Sequence, residues 1–423
     1  MKICYDYLRP EKARMMRRKL KPFLTPPAKE IKLFENAGVI PAFCHESGEV
    51  LTGVVDSENR FVDISREIYH RVDIERKAAC SEFIYREETV VYIGFFNPHW
   101  GHFIVDCLPS FWFLDKIKAD RYVFSYHEGQ KPVIHDNMRE ALMLLGVWDK
   151  TEIICSPVRF QKLYAVSKGL VAEEYVIPEV ACVFDRIIRN ALSQPFESLL
   201  PGKVLMSRSL LPKARLNDIG TENVERLFTA NGYHAIYPEK ISLTELIRFL
   251  HGAGECAAIS GTLTHNMLFA PEGSKLHVIE KYASINNYQP GVDILKNLET
   301  TYIDANYFLR TVNPGLGPFI IGHTPQLERF ASDKGMEYAV DHIRPRATLR
   351  RYYRLCYRHY KRRWVMPWWL DAEISSMREA YEASMELFGP WIEGDRAIFL
   401  SDMINPRHMA KLMKKKIKRM LRH

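Results

Sequence analysis

The chain has 423 residues, of which 47% are hydrophobic and 12% aromatic, and its formal net charge is +8. This length exceeds one ordinary hydrophobic core and is sufficient for two domains. Nine basic residues lie within 344–363 and eight within 407–423, and neither segment contains an acid. The rest of the chain holds 42 basic and 51 acidic residues. The excess positive charge therefore belongs to a C-terminal extension, which argues against a uniformly basic nucleic-acid-binding fold.

The eight cysteines are scattered, and no Cys-x-x-Cys pair indicates a zinc site. We interpret them as reduced thiols in a cytosol. Residues 1–6 lack the apolar core of a secretory signal. The sequence also has no uninterrupted apolar run of about eighteen residues, the length of a membrane span. We therefore expect a cytoplasmic protein that is neither secreted nor membrane-spanning.

The N-terminal half begins with a basic, proline-containing arm, residues 1–30. An α/β domain is predicted to follow over residues 31–196. Its apolar patterns predict strands at 49–55, 89–94 and 162–167, and helices at 104–114, 138–145 and 179–192. The segment 194–202 contains two prolines and a glycine and is the predicted linker.

The second half repeats the alternation of strands and helices. Its patterns predict strands at 204–206, 256–259 and 301–303, a further strand ending at Glu280, and helices at 221–231 and 242–250. A second α/β domain is therefore predicted over residues 197–305, and a basic, helical extension over residues 306–423. Both α/β domains are expected to contain mostly parallel sheets flanked by helices.

The segment Asn97–Pro109 places ionisable side chains inside an otherwise apolar run. If it is helical from Gly101, His102 and Asp106 lie on one face, close enough for the carboxylate to orient the imidazole. Such a pair can accept a proton from a sugar hydroxyl. The alternative is a buried histidine and aspartate that only satisfy each other's hydrogen bonds.

Two further segments place polar residues at the ends of predicted strands. The strand 204–206 ends in Ser207 and Arg208, and the strand 256–259 ends in a Ser260-Gly261 turn before a helix-like run. Ligands of doubly wound sheets bind beyond the carboxyl ends of the strands. Both turns are therefore candidate ligand sites.

In order and spacing, these segments resemble the glycosyltransferases of family 61, which include bacterial capsular-polysaccharide enzymes and eukaryotic xylosyl- and N-acetylglucosaminyltransferases. The resemblance covers roughly residues 90–285. The places of the family's first motif are held by His102, Phe103, Asp106 and Pro109, with phenylalanine for the family's tryptophan. Its second motif is matched by Ser207, Arg208, Arg215, Asn217 and Asp218. In the third, Ser260-Gly261-Thr262-Leu263 stands where the family has His-Gly-Ala-Gly, and His265 follows.

The resemblance implies two Rossmann-like domains in the arrangement called GT-B, with acceptor bound by the N-terminal half and nucleotide sugar by the C-terminal half. It also implies an inverting glycosyltransferase, which we expect to act in surface or capsular polysaccharide biosynthesis. Its partners would be a nucleotide-sugar donor and a glycan or lipid-linked glycan acceptor. His102 and Asp106 are the predicted catalytic pair, and their spacing leaves open which of them takes the proton.

The predicted donor site consists of Ser207, Arg208, Arg215, Asn217, Gly261, Thr262, His265, Asn266 and Glu280. Arg208 can hold phosphate oxygens through its planar guanidinium, with Arg215 as a second cation, and amides at the helix start after Gly261 can bind the same group. Alternatively, Arg208 caps a neighbouring carbonyl group and Gly261 only turns the chain.

Glu280, at a strand end, can accept hydrogen bonds from a ribose, or it can pair with Lys281 or Lys275. His265 and Asn266 can reach the nucleotide or face the core. No Asp-x-Asp triplet occurs in the sequence, so a metal bridging the diphosphate has no obvious ligands. We expect a metal-independent reaction without a cofactor.

The C-terminal extension mixes apolar and basic residues at roughly helical spacing, especially within 407–423. Such a helix can bind an anionic membrane surface. Residues 344–369, with Trp364, Trp368 and Trp369, offer a second interfacial contact, which would place the protein peripherally on the inner face of the membrane. The alternatives are a solvated basic tail or a helix packed on the protein's acidic body.

Two other classes of function stay open. The altered third motif is compatible with a catalytically inactive relative that binds a glycan or a nucleotide. The basic extension is compatible with a membrane-associated assembly protein. No nucleic-acid partner is expected.

Overall fold

The computed structural model of the protein describes residues 1–45, 49–65, 71–193, 201–211, 218–283, 286–309, 318–362 and 378–394. The strands, in chain order, are β1 (Lys2–Tyr7), β2 (Ile31–Cys44), β3 (Val50–Val55), β4 (Ile84–Phe95), β5 (Arg121–Ser125), β6 (Thr151–Ile154), β7 (Val158–Val166), β8 (Leu170–Val171), β9 (Tyr175–Val176), β10 (Lys203–Met206), β11 (Asp218–Ile219), β12 (His234–Ile236), β13 (Glu255–Ile259), β14 (Lys275–Glu280), β15 (Glu299–Asp304), β16 (Asn306–Tyr307) and β17 (Phe319–Ile321).

The α-helices are α1 (Pro10–Leu20), α2 (Arg71–Ala79), α3 (Trp100–His102), α4 (Asp136–Leu145), α5 (Val180–Leu192), α6 (Thr221–Ala230), α7 (Leu243–Gly252), α8 (Thr262–His265), α9 (Gln289–Leu295), α10 (Pro325–Asp333), α11 (Pro345–Arg362) and α12 (Arg378–Gly394). Short 3₁₀ turns lie at Lys21–Leu24, Asp63–Ser65, Leu108–Phe111, Trp148–Lys150 and Asn266–Phe269. No helix among the described residues combines the length and the apolarity that a membrane span requires.

The first sheet has six strands in the order β3-β2-β7-β4-β5-β6. β2 runs antiparallel to both β3 and β7, whereas β4 is parallel to β7 and β5, and β5 is parallel to β6. Three of its five strand pairs are therefore parallel. Its parallel part comprises β7, β4, β5 and β6, and the carboxyl end of β4 leads directly into the segment that contains His102.

The second sheet has six strands in the order β1-β15-β14-β13-β10-β12, and every pair is parallel. The expectation of a parallel sheet is confirmed here. β10 lies between β12 and β13, so the chain reverses its direction of travel across the sheet at the β10–β13 boundary. Such a topological switch point opens a crevice beyond the carboxyl ends of the two strands. Arg208 and Gly261 flank this crevice.

Residues 1–20 supply a strand and a helix to the second sheet. β1 pairs with β15 at the sheet edge, and α1 crosses the carboxyl ends of the strands. Lys12 is 3% exposed and its ammonium contacts Glu280 at 2.9 Å and Asp304 at 3.1 Å. The structure thus ties the predicted basic arm to the C-terminal half of the chain.

The two halves share one hydrophobic core. Phe184 on α5 packs edge-on against Phe269 at 5.3 Å between ring centroids, and Trp100 stacks on Phe269 at 6.2 Å. The Glu140 carboxylate of α4 accepts hydrogen bonds from the backbone N–H of Leu243 at 2.8 Å and caps α7. Because the shared surface is apolar and its polar rim is hydrogen-bonded, the halves are held together on this side.

The C-terminal helices pack on a small sheet ordered β11-β17-β16. Leu349, Tyr352 and Leu355 of α11 are 2–5% exposed and lie against Ile320 and Phe388. Tyr352, which lies within the predicted membrane-contacting segment 344–369, therefore points into the protein. Trp364, Trp368, Trp369 and residues 407–423 lie outside the described residues.

The helix predicted at 104–114 is not a regular α-helix. After α3, residues Phe103–Cys107 form a π turn and Leu108–Phe111 a 3₁₀ turn. Pro109 has no N–H to donate to the fourth carbonyl before it, which breaks the α-helical hydrogen-bond ladder. A π turn inside a helix often marks a functional site, and this one contains Asp106.

Candidate functional site

His102 and Asp106 are in direct contact. Nδ1 of His102 lies 2.8 Å from Oδ2 of Asp106, and the side chains are 50% and 24% exposed. The alternative of a pair buried in the core is therefore wrong, because both side chains are partly exposed. The hydrogen bond to Asp106 raises the pKa of His102 above its ordinary value, although burial opposes the rise. Because a carboxylate accepts hydrogen bonds, the neutral ring carries its proton on Nδ1 and leaves Nε2 as the free acceptor.

The helix that carries His102 packs against the helix that follows Gly261. A Cβ atom placed on Gly101 would lie 2.4 Å from Oγ1 of Thr262, so only glycine permits this approach. The indole Nε1 of Trp100 donates a hydrogen bond of 2.9 Å to Oδ1 of Asn266. The first and third sequence motifs, about 160 residues apart in the sequence, therefore form one surface.

His265 lies on the side of this surface nearest His102. Oδ1 of Asn286 accepts from the backbone N–H of Tyr288 at 2.9 Å and contacts Nε2 of His265 at 3.1 Å. The histidine therefore donates from Nε2. Its Nδ1 is buried and has no hydrogen-bond partner among the described residues. The Tyr288 ring packs edge-on against both imidazoles, 6.0 Å from His102 and 5.9 Å from His265.

The environment of His265 keeps its ring neutral. The side chain is 5% exposed, and burial lowers its pKa to about 4. The positive charge of His102 lowers it further, while Asp106 opposes this effect. His265 and Asn266 thus lie where the third motif meets the first, and a direct contact with a donor remains a prediction.

Gly261 has φ of +117° and ψ of −147°. This conformation is essentially restricted to glycine. It turns the chain sharply from β13 into α8. The amides at the start of α8 are thereby positioned at the switch point, although a helix of one turn contributes little dipole of its own.

Ser207 and Arg208 follow β10 on the other side of the switch point. The hydroxyls of Ser207 and Ser209 donate to the same Glu225 oxygen, each at 2.6 Å, and Tyr237 donates to the other oxygen at 2.8 Å. Burial opposes ionisation of Glu225, but these three hydrogen bonds outweigh it and lower its pKa. The Ser207 hydroxyl therefore anchors the turn that presents Arg208.

Arg208 is paired with a buried carboxylate. Its Nε lies 3.3 Å from Oδ2 of Asp218, and the side chains are 22% and 1% exposed. The angles do not make this contact a hydrogen bond, and both Asp218 oxygens lack hydrogen-bond partners among the described residues. The alternative in which Arg208 caps a carbonyl group is not what the described contacts show. Arg215 and Asn217 lie outside the described residues.

Glu280 is held by a partner that sequence spacing did not indicate. Lys12 forms the ion pair, rather than Lys281 or Lys275, and the Lys12 ammonium also donates to the backbone oxygen of Tyr282 at 2.6 Å. Glu280 is 1% exposed. Ribose binding by Glu280 stays a prediction. In the structure its carboxylate neutralises the Lys12 ammonium of α1.

Several residues of this region were not found from the sequence. Asn286, Tyr288 and Glu225 hold the motif residues in place, but none is part of a local pattern. Lys281 was considered only as a partner of Glu280, yet it follows β14 at the same sheet edge and is 4% exposed. The sequence signal that could have identified Lys281 is its position directly after an apolar strand. Within the described ranges, no group of three or more His, Cys, Asp or Glu residues has metal-binding geometry.

A comparison with protein families agrees with the motifs. Residues 100–277 match the family model described as Glycosyltransferase 61. This match confirms the resemblance recognised from the sequence and supports a sugar-transferring enzyme. No curated protein gives a significant match to the chain.

Proposed function

We propose, from the match of residues 100–277 to the glycosyltransferase 61 model, that this chain is an inverting glycosyltransferase. It would transfer a sugar from a nucleotide-sugar donor to a glycan or lipid-linked glycan, in surface or capsular polysaccharide biosynthesis. The two six-stranded sheets support a GT-B arrangement. We further propose that the reaction is metal-independent.

The observation that carries the proposal is the packing of the His102 helix on the helix after Gly261. The contacts between Gly101 and Thr262 and between Trp100 and Asn266 bring a proton acceptor next to the switch point of a parallel sheet. Sugar transfer needs a base for the acceptor hydroxyl and a separate site for the leaving diphosphate. The first motif would supply the base, and the third motif would supply part of the diphosphate site.

The hydrogen-bond geometry favours His102 as the base. Asp106 is bonded to Nδ1 of His102, so it can fix the ring and stabilise the imidazolium that forms when Nε2 accepts the hydroxyl proton. The hydroxyl oxygen then attacks the anomeric carbon from the face opposite the leaving group, which inverts the configuration.

Charge on the departing diphosphate would be stabilised by Arg208 and by the amides after Gly261. Arg208 is 22% exposed, and its guanidinium retains donors that Asp218 does not use. Charge-assisted hydrogen bonds from a guanidinium suit phosphate oxygens. The ion pair with Asp218 would hold the guanidinium in place before the donor arrives.

A binding screen tests the donor side. UDP-, GDP- and CMP-sugars are added to the full chain, and thermal unfolding is followed with and without EDTA. A ligand that binds the native state raises the midpoint by mass action, so at least one nucleotide class is expected to stabilise the protein in both conditions. An effect seen only with added Mg²⁺ or Mn²⁺ would contradict metal independence.

The main alternative is an inactive relative that binds a nucleotide or glycan without transfer. It is favoured by Ser260, which stands where the family has histidine. Stabilisation by a nucleotide sugar without release of free nucleotide, with any acceptor offered, would select this alternative.

A further inference from the structure

Lys281 is a buried cation at the carboxyl ends of the strands of the second sheet. It directly follows β14, and its backbone N–H donates to the Ser260 hydroxyl at 3.2 Å, so it lies beside the Gly261 turn. The residue is 4% exposed. Its ammonium lies 5.1 Å from the centroid of the Tyr282 ring and 4.7 Å from that of Phe319.

Among the described residues, the Lys281 ammonium has no carboxylate oxygen within 4.0 Å and no hydrogen-bond acceptor. Buried lysines are normally paired, because desolvation of an unpaired charge is costly. Its contacts with two rings offset only part of this cost. Burial lowers the pKa of Lys281 to about 8, with Asp218 opposing and Arg208 adding to the shift.

The charged side chains around Lys281 carry a net positive charge, which favours binding of an anion. Asp218 balances one of the two cations Arg208 and Lys281, while Glu280 is already neutralised by Lys12. One positive charge is therefore left over. Nε of Arg208 also lacks a hydrogen-bond partner among the described residues, which leaves a buried donor from which an anionic ligand can accept a hydrogen bond.

We propose that Lys281 and Arg208 together form the binding site for the diphosphate of the donor, with Lys281 contributing the buried second cation. This inference rests on the proposed function and adds a residue to it. The ligand class is a pyrophosphate ester, as in a nucleoside diphosphate. The unpaired lysine is kept for ligand binding at the expense of stability in the free protein.

The test compares wild type, Lys281→Met and Lys275→Met of the full chain by calorimetry with inorganic pyrophosphate and with UDP and GDP. Lys275 is the matched control, because it lies at the exposed amino end of the same strand. Lys281→Met is expected to weaken pyrophosphate and diphosphate binding about 10- to 100-fold, as for loss of a charge-assisted contact. Lys275→Met should bind as wild type does.

Thermal unfolding of the free proteins gives a second readout. Replacing an unpaired buried cation by an apolar side chain of similar length should leave the unfolding midpoint unchanged or raise it. Equal pyrophosphate affinity in wild type and Lys281→Met would overturn the inference and leave the proposed function intact. No binding of pyrophosphate or either diphosphate to wild type would count against both.

If Lys281→Met folds poorly, pH provides the test on wild type alone. The terminal phosphate of UDP, with a second pKa of about 6, is ionised throughout the range tested, whereas Lys281 loses its proton around its pKa of about 8. Asp218, Arg208 and Glu280 also act on the Lys281 ammonium, and burial raises the pKa of Tyr282. Affinity for UDP should therefore fall between about pH 7 and 9. Constant or rising affinity would refute the role of Lys281.

Discussion

At the scale of single residues, the hydrogen bond between His102 and Asp106 determines which ring nitrogen can accept a proton. Sequence spacing predicted that the two side chains share a face, and the contact at 2.8 Å agrees. What spacing left open was the direction of the proton. Because Asp106 contacts Nδ1, Nε2 is the ring atom that can take a proton from a substrate.

The raised pKa of His102 predicts the pH dependence of transfer. The base must be neutral, so kcat/KM should rise with pH through a midpoint above the usual histidine value of about 6.5. In Asp106→Asn the midpoint should move down, because the imidazolium loses its counter-charge. The measurement is a pH–rate profile of both proteins. A profile that is flat between about pH 5 and 9 would exclude His102 as the base.

The same linkage has a consequence for stability. A histidine whose folded pKa is raised stabilises the fold below its unfolded pKa, and this contribution is lost as pH rises through the folded value. The Asp106 contact should therefore favour folding in mild acid. His102 is half exposed, so solvent screening keeps the effect small.

At the scale of elements, the periodicity of the sequence predicted the strands. It did not predict contacts between distant segments. The strands β10, β13, β14 and β15 fall where apolar runs placed them. The π turn at Phe103–Cys107 was missed, because an apolar run gives no sign of an extra residue in a helical turn. Lys12 could not be assigned to Glu280, since the two are 268 residues apart and no local pattern connects them.

The packing of α3 on α8 predicts a specific coupling between Gly101 and Thr262. A Cβ on residue 101 would lie 2.4 Å from Oγ1 and 3.1 Å from Cγ2 of Thr262. Gly101→Ala should therefore destabilise the protein by about 1–3 kcal/mol, the usual cost of overpacking. In Thr262→Ala both contact atoms are gone, so the same glycine change should cost less.

A double-mutant cycle measured by chemical denaturation tests this coupling. Gly202→Ala is the control, because a Cβ there meets no atom within 4 Å. Equal costs of Gly101→Ala in the two backgrounds would mean that the two helices do not pack as described.

At the scale of the whole molecule, the N-terminal residues lock the second sheet. β1 extends the sheet, and α1 places Lys12 between Glu280 and Asp304 while the Arg9 N–H donates to Asp304 at 2.8 Å. The shared apolar core then joins this sheet to the first. The domain limits at 30, 196 and 305 stay predictions, but residues 1–20 serve the C-terminal half.

Lys12→Met should destabilise the whole protein. The substitution leaves the buried Glu280 carboxylate without a counter-charge and leaves Asp304 with only the Arg9 guanidinium, 3.5 Å away. Breaking a buried ion pair typically costs about 3–5 kcal/mol. Urea denaturation measures the loss. Arg18→Met is the control, because Arg18 is an exposed residue of the same helix and should change stability by less than about 0.5 kcal/mol. Equal midpoints for Lys12→Met and wild type would show that the ion pairs do not form.

The most direct test of the central claim is sugar transfer itself, measured as release of free nucleotide from the donor that stabilises the protein, with a glycan acceptor present. Wild type should turn over, and Asp106→Asn should be slower by roughly 10²–10⁴-fold, the contribution of general-base catalysis. Asp115→Asn, an exposed aspartate nearby in the sequence, should match wild type. Wild-type turnover by Asp106→Asn would contradict the assignment of His102 and Asp106 as the catalytic pair.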